Sequence, residues 1–255
     1  MTELSKSRRK GPDSGPFGGL WDSRDRFTGK RLPAELPEPA RRYLEHAIAA
    51  GTVLASSVKL QMRGEIKLNR WRSFTGDQII HRNLEFAWNA NTSFAGIPTR
   101  GIARLIGGKG AVLWKVFHIV PVASQGGRHI TRSAVGRAML ESIFLPPALL
   151  ERGVHWTALT EARPHAHIVA QGESAELAFR IAVNGAVENV QVLRWAHTGG
   201  GDFHYRPFGA IVEEEQRFNG YTIPTRLRVG YYAGSDRFET DGEFLRITIE
   251  NATFL

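Results

Sequence analysis

The stretch Leu177-Ala178-Phe179-Arg180-Ile181-Ala182-Val183-Asn184-Gly185-Ala186-Val187-Glu188-Asn189-Val190-Gln191-Val192-Leu193-Arg194-Trp195 decides the fold. Two runs of apolar, largely β-forming residues flank Asn-Gly, a dipeptide that tolerates the positive φ of a tight turn, so the stretch reads as an antiparallel hairpin. The pattern recurs downstream, where Asn219-Gly220 separates residues 211–218 from 221–232, and a last strand is expected over about 244–252. Upstream, Leu54, Val58, Leu60 and Met62 alternate with small or polar residues, followed by Ile66 and Leu68, by Leu84, Phe86 and Trp88, and by Val112, Trp114 and Val116. Period two of this kind marks half-buried antiparallel strands. Gly64, Gly76-Asp77 and Gly107-Gly108 are read as turns, and Leu113 with Phe117 on the second face predicts a strand covered on both sides.

Helices are few. Pro37 and Pro39 open one from residue 39 to about 50. A second is predicted over 133–144, where Val135, Met139 and Ile143 recur every four residues with Leu140 and Phe144 beside them. Such a stripe must lie on another element. Pro146 and Pro147 stop it, and a further short turn of helix is expected over 148–152. Nine to eleven strands with so few helices predict a mainly β, α+β fold: a large curved antiparallel sheet, half-barrel or open barrel, with helices on its concave face.

Of 255 residues, 42% are hydrophobic and 23% charged, which suits one globular domain, placed at 36–255. Residues 1–35, rich in Gly, Pro, Ser and charge, are expected to be a disordered basic tail, with Phe17, Leu20 and Trp21 as its only docking groups. The formal charge is +8, and residues 1–31, with eight basic and four acidic side chains, hold half of it. A basic end of this kind either solubilises or attracts nucleic acid or anionic lipid. The absence of Cys excludes disulfides, thiol nucleophiles and cysteine-based metal sites. No apolar run approaches the roughly eighteen residues of a membrane span. The cluster Lys6, Arg8, Arg9, Lys10 is not followed by an apolar region, so a cytoplasmic location is expected.

No phosphate loop, serine elbow, His-Glu-x-x-His helix or kinase signature is present, and Gly107-Gly108-Lys109-Gly110 lacks phosphate-loop spacing. No cofactor is expected. His165 and His167 share a strand face, the spacing of two metal ligands, but Ala166, Ile168 and Ala170 occupy the core face, so both His should face solvent and no metal is predicted. Arg70-Trp71-Arg72, Arg226 and Arg228 offer charge and stacking without any nucleic-acid signature, so no specific nucleic-acid partner is expected.

Several segments in order also resemble a family of uncharacterised bacterial proteins, a conserved domain of unknown function. They are Leu36-Pro37-Glu38-Pro39-Ala40-Arg41-Arg42-Tyr43-Leu44, Trp71-Arg72-Ser73-Phe74-Thr75-Gly76-Asp77-Gln78 and Phe86-Ala87-Trp88-Asn89-Ala90. Then come Arg137-Ala138-Met139-Leu140-Glu141 with Leu145-Pro146-Pro147-Ala148-Leu149-Leu150, and Gly220-Tyr221-Thr222-Ile223-Pro224. The resemblance covers about 36–251. Phe144 and Tyr231 stand where the family is expected to carry Trp, so aromatic packing is kept and an indole donor lost. The resemblance implies a half-barrel similar to lipoprotein-carrier proteins, which hold acyl chains between a curved sheet and helices, and it implies no catalytic residues.

Two functional readings follow. In the first, a hydrophobic, apolar or amphipathic small molecule sits between the sheet and helix 133–144, with Trp88, Trp114, Phe179 and Trp195 as pocket liners and Arg137, Glu141 and Phe144 at its mouth. Those four aromatics read equally as core, and Arg137 with Glu141 as a surface ion pair. In the second, the same cavity serves a cofactor-independent isomerase or cyclase. Arg194 shares a strand side with Val190 and Val192, and Glu214 with Val212 and Phe218, so the two are its candidate acid/base or anchoring groups. Both also fit strand-end residues that reach water or pair with each other.

Overall fold

A computed structural model of the chain describes residues 25–117, 119–197 and 202–255. Helix α1 (Glu38–Ala47) comes first, with Pro39 in its first turn, where no backbone N–H is needed. Six strands follow: β1 (Ser57–Lys67), β2 (Trp71–His81), β3 (Phe86–Phe94), β4 (Ile97–Ile106), β5 (Lys109–Val116) and β6 (Val120–Gln125). Then comes helix α2 (Arg128–Glu141), continued by the 3₁₀ turns Ser142–Phe144 and Pro146–Leu150. Seven more strands complete the chain: β7 (Val154–Thr160), β8 (Arg163–Ala170), β9 (Glu173–Ile181), β10 (Val187–Ala196), β11 (His204–Phe218), β12 (Tyr221–Tyr231) and β13 (Glu243–Phe254).

All thirteen strands form one curved, open antiparallel sheet in the order β6-β5-β4-β3-β2-β1-β13-β12-β11-β10-β9-β8-β7. The chain meanders outward from β1 to β6, crosses to the opposite edge, and meanders back from β7 to β13, which pairs with β1 from Val58↔Phe254 onward. Helix α2 is that crossover. It packs on β4 and β5 at one side and on β9 and β10 at the other, so it lies across the open side of the curved sheet. Val135, Ala138, Met139 and Leu140 are its buried face, as the four-residue stripe requires. No helix among the described residues is long and apolar enough to cross a membrane.

The two Asn-Gly sites make different turns. At Asn219-Gly220 both residues take positive φ, 49° and 92°, the tight two-residue hairpin that asparagine and glycine accept. At the other, only Gly185 does, at 89°, while Asn184 Oδ1 accepts from the Ala186 amide at 3.1 Å, which makes a wider turn. Gly64 and Gly76 are not turns, since the β1–β2 ladder runs unbroken from Ser57↔His81 to Lys67↔Trp71. Two more strands form than the upper expectation. Edge strand β6 is exposed along its whole length and shows no alternation to read. Phe117, expected to cover a second face of β5, sits in the β5–β6 turn with φ 50° and is exposed.

Residues 1–24 of the expected tail lie outside the described residues, as do Phe17, Leu20 and Trp21. The remainder of that segment, 25–35, is described. Arg26 bridges to Val53, and Phe27 and Leu32 enter the core beside Tyr43 and Leu44.

Candidate functional site

Because side chains alternate along each strand, the concave face collects Ile66 of β1, Trp88 of β3, Trp114 of β5, Phe208 of β11, Tyr231 of β12 and Phe244 of β13. Together with Leu140 of α2 and Ile143 and Phe144 of the 3₁₀ turn that continues it, they line a cavity of about 280 Å³. Its walls are almost wholly apolar. Trp114 holds its place because its cross-strand partner is Gly101, where the indole occupies the space a side chain would fill.

Polar groups enter at one side. Glu141 accepts from Arg137 Nε at 2.7 Å and from the Gln78 amide at 2.6 Å, so both carboxylate oxygens are engaged. The Arg137 guanidinium lies 4.7 Å from the Phe86 ring centre and 5.2 Å from that of Trp88, within cation–π range. This pair is therefore part of the cavity wall and not a solvated helix-surface pair.

Arg194 reaches the same place from β10. Its Nε donates to the Ser133 carbonyl of α2 at 3.0 Å, and its guanidinium lies 4.6 Å from the Phe208 ring centre. Burial pushes its pKa down, and the neighbouring Arg137 charge adds to that while Glu141 opposes it. Guanidinium is so basic that Arg194 remains charged at neutral pH.

Arg137, Arg194 and Tyr231 also line a second, wider cleft of about 720 Å³ on the solvent side of the cavity. Arg104, His129 and His197 are there too, and no Asp or Glu is among its described lining residues. His129 stacks on Phe203 at 4.7 Å between ring centres.

Of the residues singled out in the sequence, Trp88, Trp114, Arg137, Glu141, Phe144 and Arg194 meet at the cavity. Phe179 does not, since it packs between Tyr43 of α1 and Trp156 of β7 in the far half of the core. Trp195 is one residue out of phase with Arg194, so alternation turns it away from the cavity; its indole donates to His129 Nδ1 at 3.0 Å.

Glu214 faces outward and pairs with Arg226 at 2.7 Å. Irregularities on both sides of Glu214 break the β11–β12 register where Pro224, with no N–H to donate, faces Glu215. A bulge shifts the alternation by one residue, so Glu215, not Glu214, turns inward, to His46 at 2.7 Å and to the Val187 amide at 3.0 Å. Arg194 and Glu214 are therefore not partners.

His165 pairs with Glu176 at 2.8 Å and His167 is exposed. Among the described residues no three His, Cys, Asp or Glu are grouped as a metal would require. Arg228 pairs with Glu239 and Glu243, and Arg246 covers Trp71, so the basic-aromatic stretches are engaged within the chain. Reading the sequence missed Phe208, Tyr231 and Phe244 as liners. Tyr231 was visible only as an aromatic substitution, and the other two have no signal beyond ordinary strand alternation.

The fold is similar to that of two solved structures. One is titled as a putative outer membrane lipoprotein-sorting protein domain from Vibrio parahaemolyticus, at 9% identity, covering 78% of this chain and 85% of that one, with a TM-score of 0.36. The other is a LolA superfamily protein from Nitrosomonas europaea, at 10% identity, covering 85% and 92%, with a TM-score of 0.40. These titles point away from the cytoplasmic location expected from the sequence, which is corrected accordingly, with no other location put in its place. No curated protein matches the sequence. Over residues 34–254 the sequence matches the family described as a family of unknown function, DUF6920, and the chain belongs to that family.

Proposed function

We propose that this chain binds an apolar or amphipathic small molecule in the cavity between the curved sheet and the end of α2. The observation that carries the reading is a hollow where a packed core would normally be. Its aromatic and aliphatic walls come from strands at both halves of the sheet, and α2 covers it. Interiors are ordinarily filled to near crystal density, so an apolar hollow of this size leaves wall surface that an apolar ligand would cover. At about 280 Å³ it lies just below the usual range of small-molecule pockets, about 300–1,000 Å³.

Trp88 and Trp114 in the wall report occupancy directly. Titration with 1-decanol should shift and saturate tryptophan emission, and native mass spectrometry should show a one-to-one complex. A chain that binds no apolar probe and carries none from expression would sink the reading.

The alternative, a cofactor-independent isomerase or cyclase, draws no support from the placement of its expected groups. Glu214 is outside and ion-paired, and the carboxylate at the cavity, Glu141, has both oxygens occupied.

A further inference from the structure

We infer that the ligand is a single-chain amphiphile with an anionic head, and that Arg194 anchors the head where the apolar cavity meets the basic cleft. The inference rests on the binding reading above and adds the ligand's charge and orientation to it.

The charge distribution is one-sided. The inner walls are apolar, whereas the cleft is lined by the cations Arg104, Arg137 and Arg194 with no carboxylate among its described residues. A cleft of one sign bounded by apolar walls concentrates the opposite charge.

Within that cleft the two boundary arginines differ. Arg137 is neutralised by Glu141 at 2.7 Å. Arg194 makes a hydrogen bond to the Ser133 carbonyl and lies on the Phe208 ring face, Glu141 and Tyr231 act on it electrostatically, and its two terminal nitrogens form no hydrogen bond among the described residues. The Tyr231 hydroxyl beside it likewise forms no hydrogen bond among them. A sheltered guanidinium is costly without a hydrogen-bonded counter-charge, and its two terminal nitrogens form the fork that binds a carboxylate or phosphate through two parallel hydrogen bonds. The Nε bond to the Ser133 carbonyl of α2 orients the guanidinium.

Size sets the tail. A cavity of about 280 Å³ admits one short chain and not several, and a chain lying in it places its head at Arg137, Arg194 and Tyr231, the polar residues among those common to both spaces. A cationic head would meet like charge there.

The test uses the full chain, delipidated and titrated by calorimetry with decanoate, decyl phosphate, 1-decanol and decyltrimethylammonium. At least one anion should bind about tenfold or more tighter than decanol, with the ammonium weakest. The preferred anion distinguishes a carboxylate from a phosphate head. Arg194→Met should lower anion affinity to the decanol level and leave decanol binding within about twofold, and Arg194→Lys should recover part of the loss. Equal affinity for anions and decanol overturns the anionic head while leaving the binding reading intact. Anion affinity unchanged in both variants overturns Arg194 as the anchor, as does equal loss of anion and decanol binding. If Arg194→Met does not fold, the wild-type anion-to-decanol ratio still decides the charge and Arg194→Lys decides the anchor. Failure of all four probes to bind overturns both readings.

Discussion

Gly101 of β4 and Trp114 of β5 are cross-strand partners, and a Cβ added to the glycine would meet the indole ring at 2.9 Å. The ring lies where a side chain would be, which fixes one wall of the cavity. Gly101→Val should therefore push the indole into the cavity. Overfilling a packed site costs about 1–3 kcal/mol, so the urea midpoint should fall by that equivalent, and decanol affinity should fall with it. A valine variant of unchanged affinity would show that Trp114 does not shape the binding space.

Gln78 and Arg137 divide the two oxygens of Glu141 between them. Gln78→Leu removes one donor from a carboxylate that water reaches only partly, and an unsatisfied buried polar group costs about 1–3 kcal/mol. Chemical denaturation should register that loss. Gln78→Glu, which sets a second carboxylate against the first, should cost more, and the reverse order would contradict the placement of Glu141.

The bulge in β11 separates two neighbouring carboxylates into unlike environments. Glu214→Gln should change stability by less than about 0.5 kcal/mol, since exposed ion pairs contribute little. Glu215→Ala strips partners from His46 and from the Val187 amide, and should cost about 1–3 kcal/mol. Equal effects at the two positions would mean that the register break lies elsewhere.

Glu243 is buried at the start of β13 between Arg228 and Arg246. Burial alone would raise its pKa, but hydrogen bonds and charge from the two arginines outweigh this and hold it at about 2, below the ordinary 4.5. A carboxyl whose folded pKa is depressed contributes stability that is present above its unfolded value and is lost as pH falls through the folded one. Stability should thus drop between about pH 4.5 and pH 2, and Glu243→Gln should flatten that part of the profile while lowering stability at pH 7. Denaturant midpoints measured across this range decide it, and parallel profiles for the two proteins would refute the assignment.

What the sequence determined by itself is whatever depends on neighbours along the chain. Alternation within 57–67, 86–94 and 187–196 follows from the two-residue repeat of an extended backbone, and the stripe Val135, Met139, Ile143 from the helical one. The tight turn at Asn219-Gly220 follows from the local sterics of positive φ. Six of the proposed site residues were found in the same way, each as an apolar-face residue or its immediate polar neighbour.

The tertiary structure decided everything that depends on partners distant in the chain. Pairing of β1 with β13 brings Ile66 within reach of Phe244 and Ile247, and no local pattern encodes that meeting. Helix α2 became a cover because it connects opposite edges of the sheet, which follows from strand order and not from its own stripe. Glu214 was misplaced because a bulge across from Pro224 shifts the count by one residue, and an alternation rule holds only while the ladder is unbroken. The open donors of Arg194 are of the same kind: its charge is written in the sequence, but its lack of a hydrogen-bonded counter-charge depends on every element that packs around it.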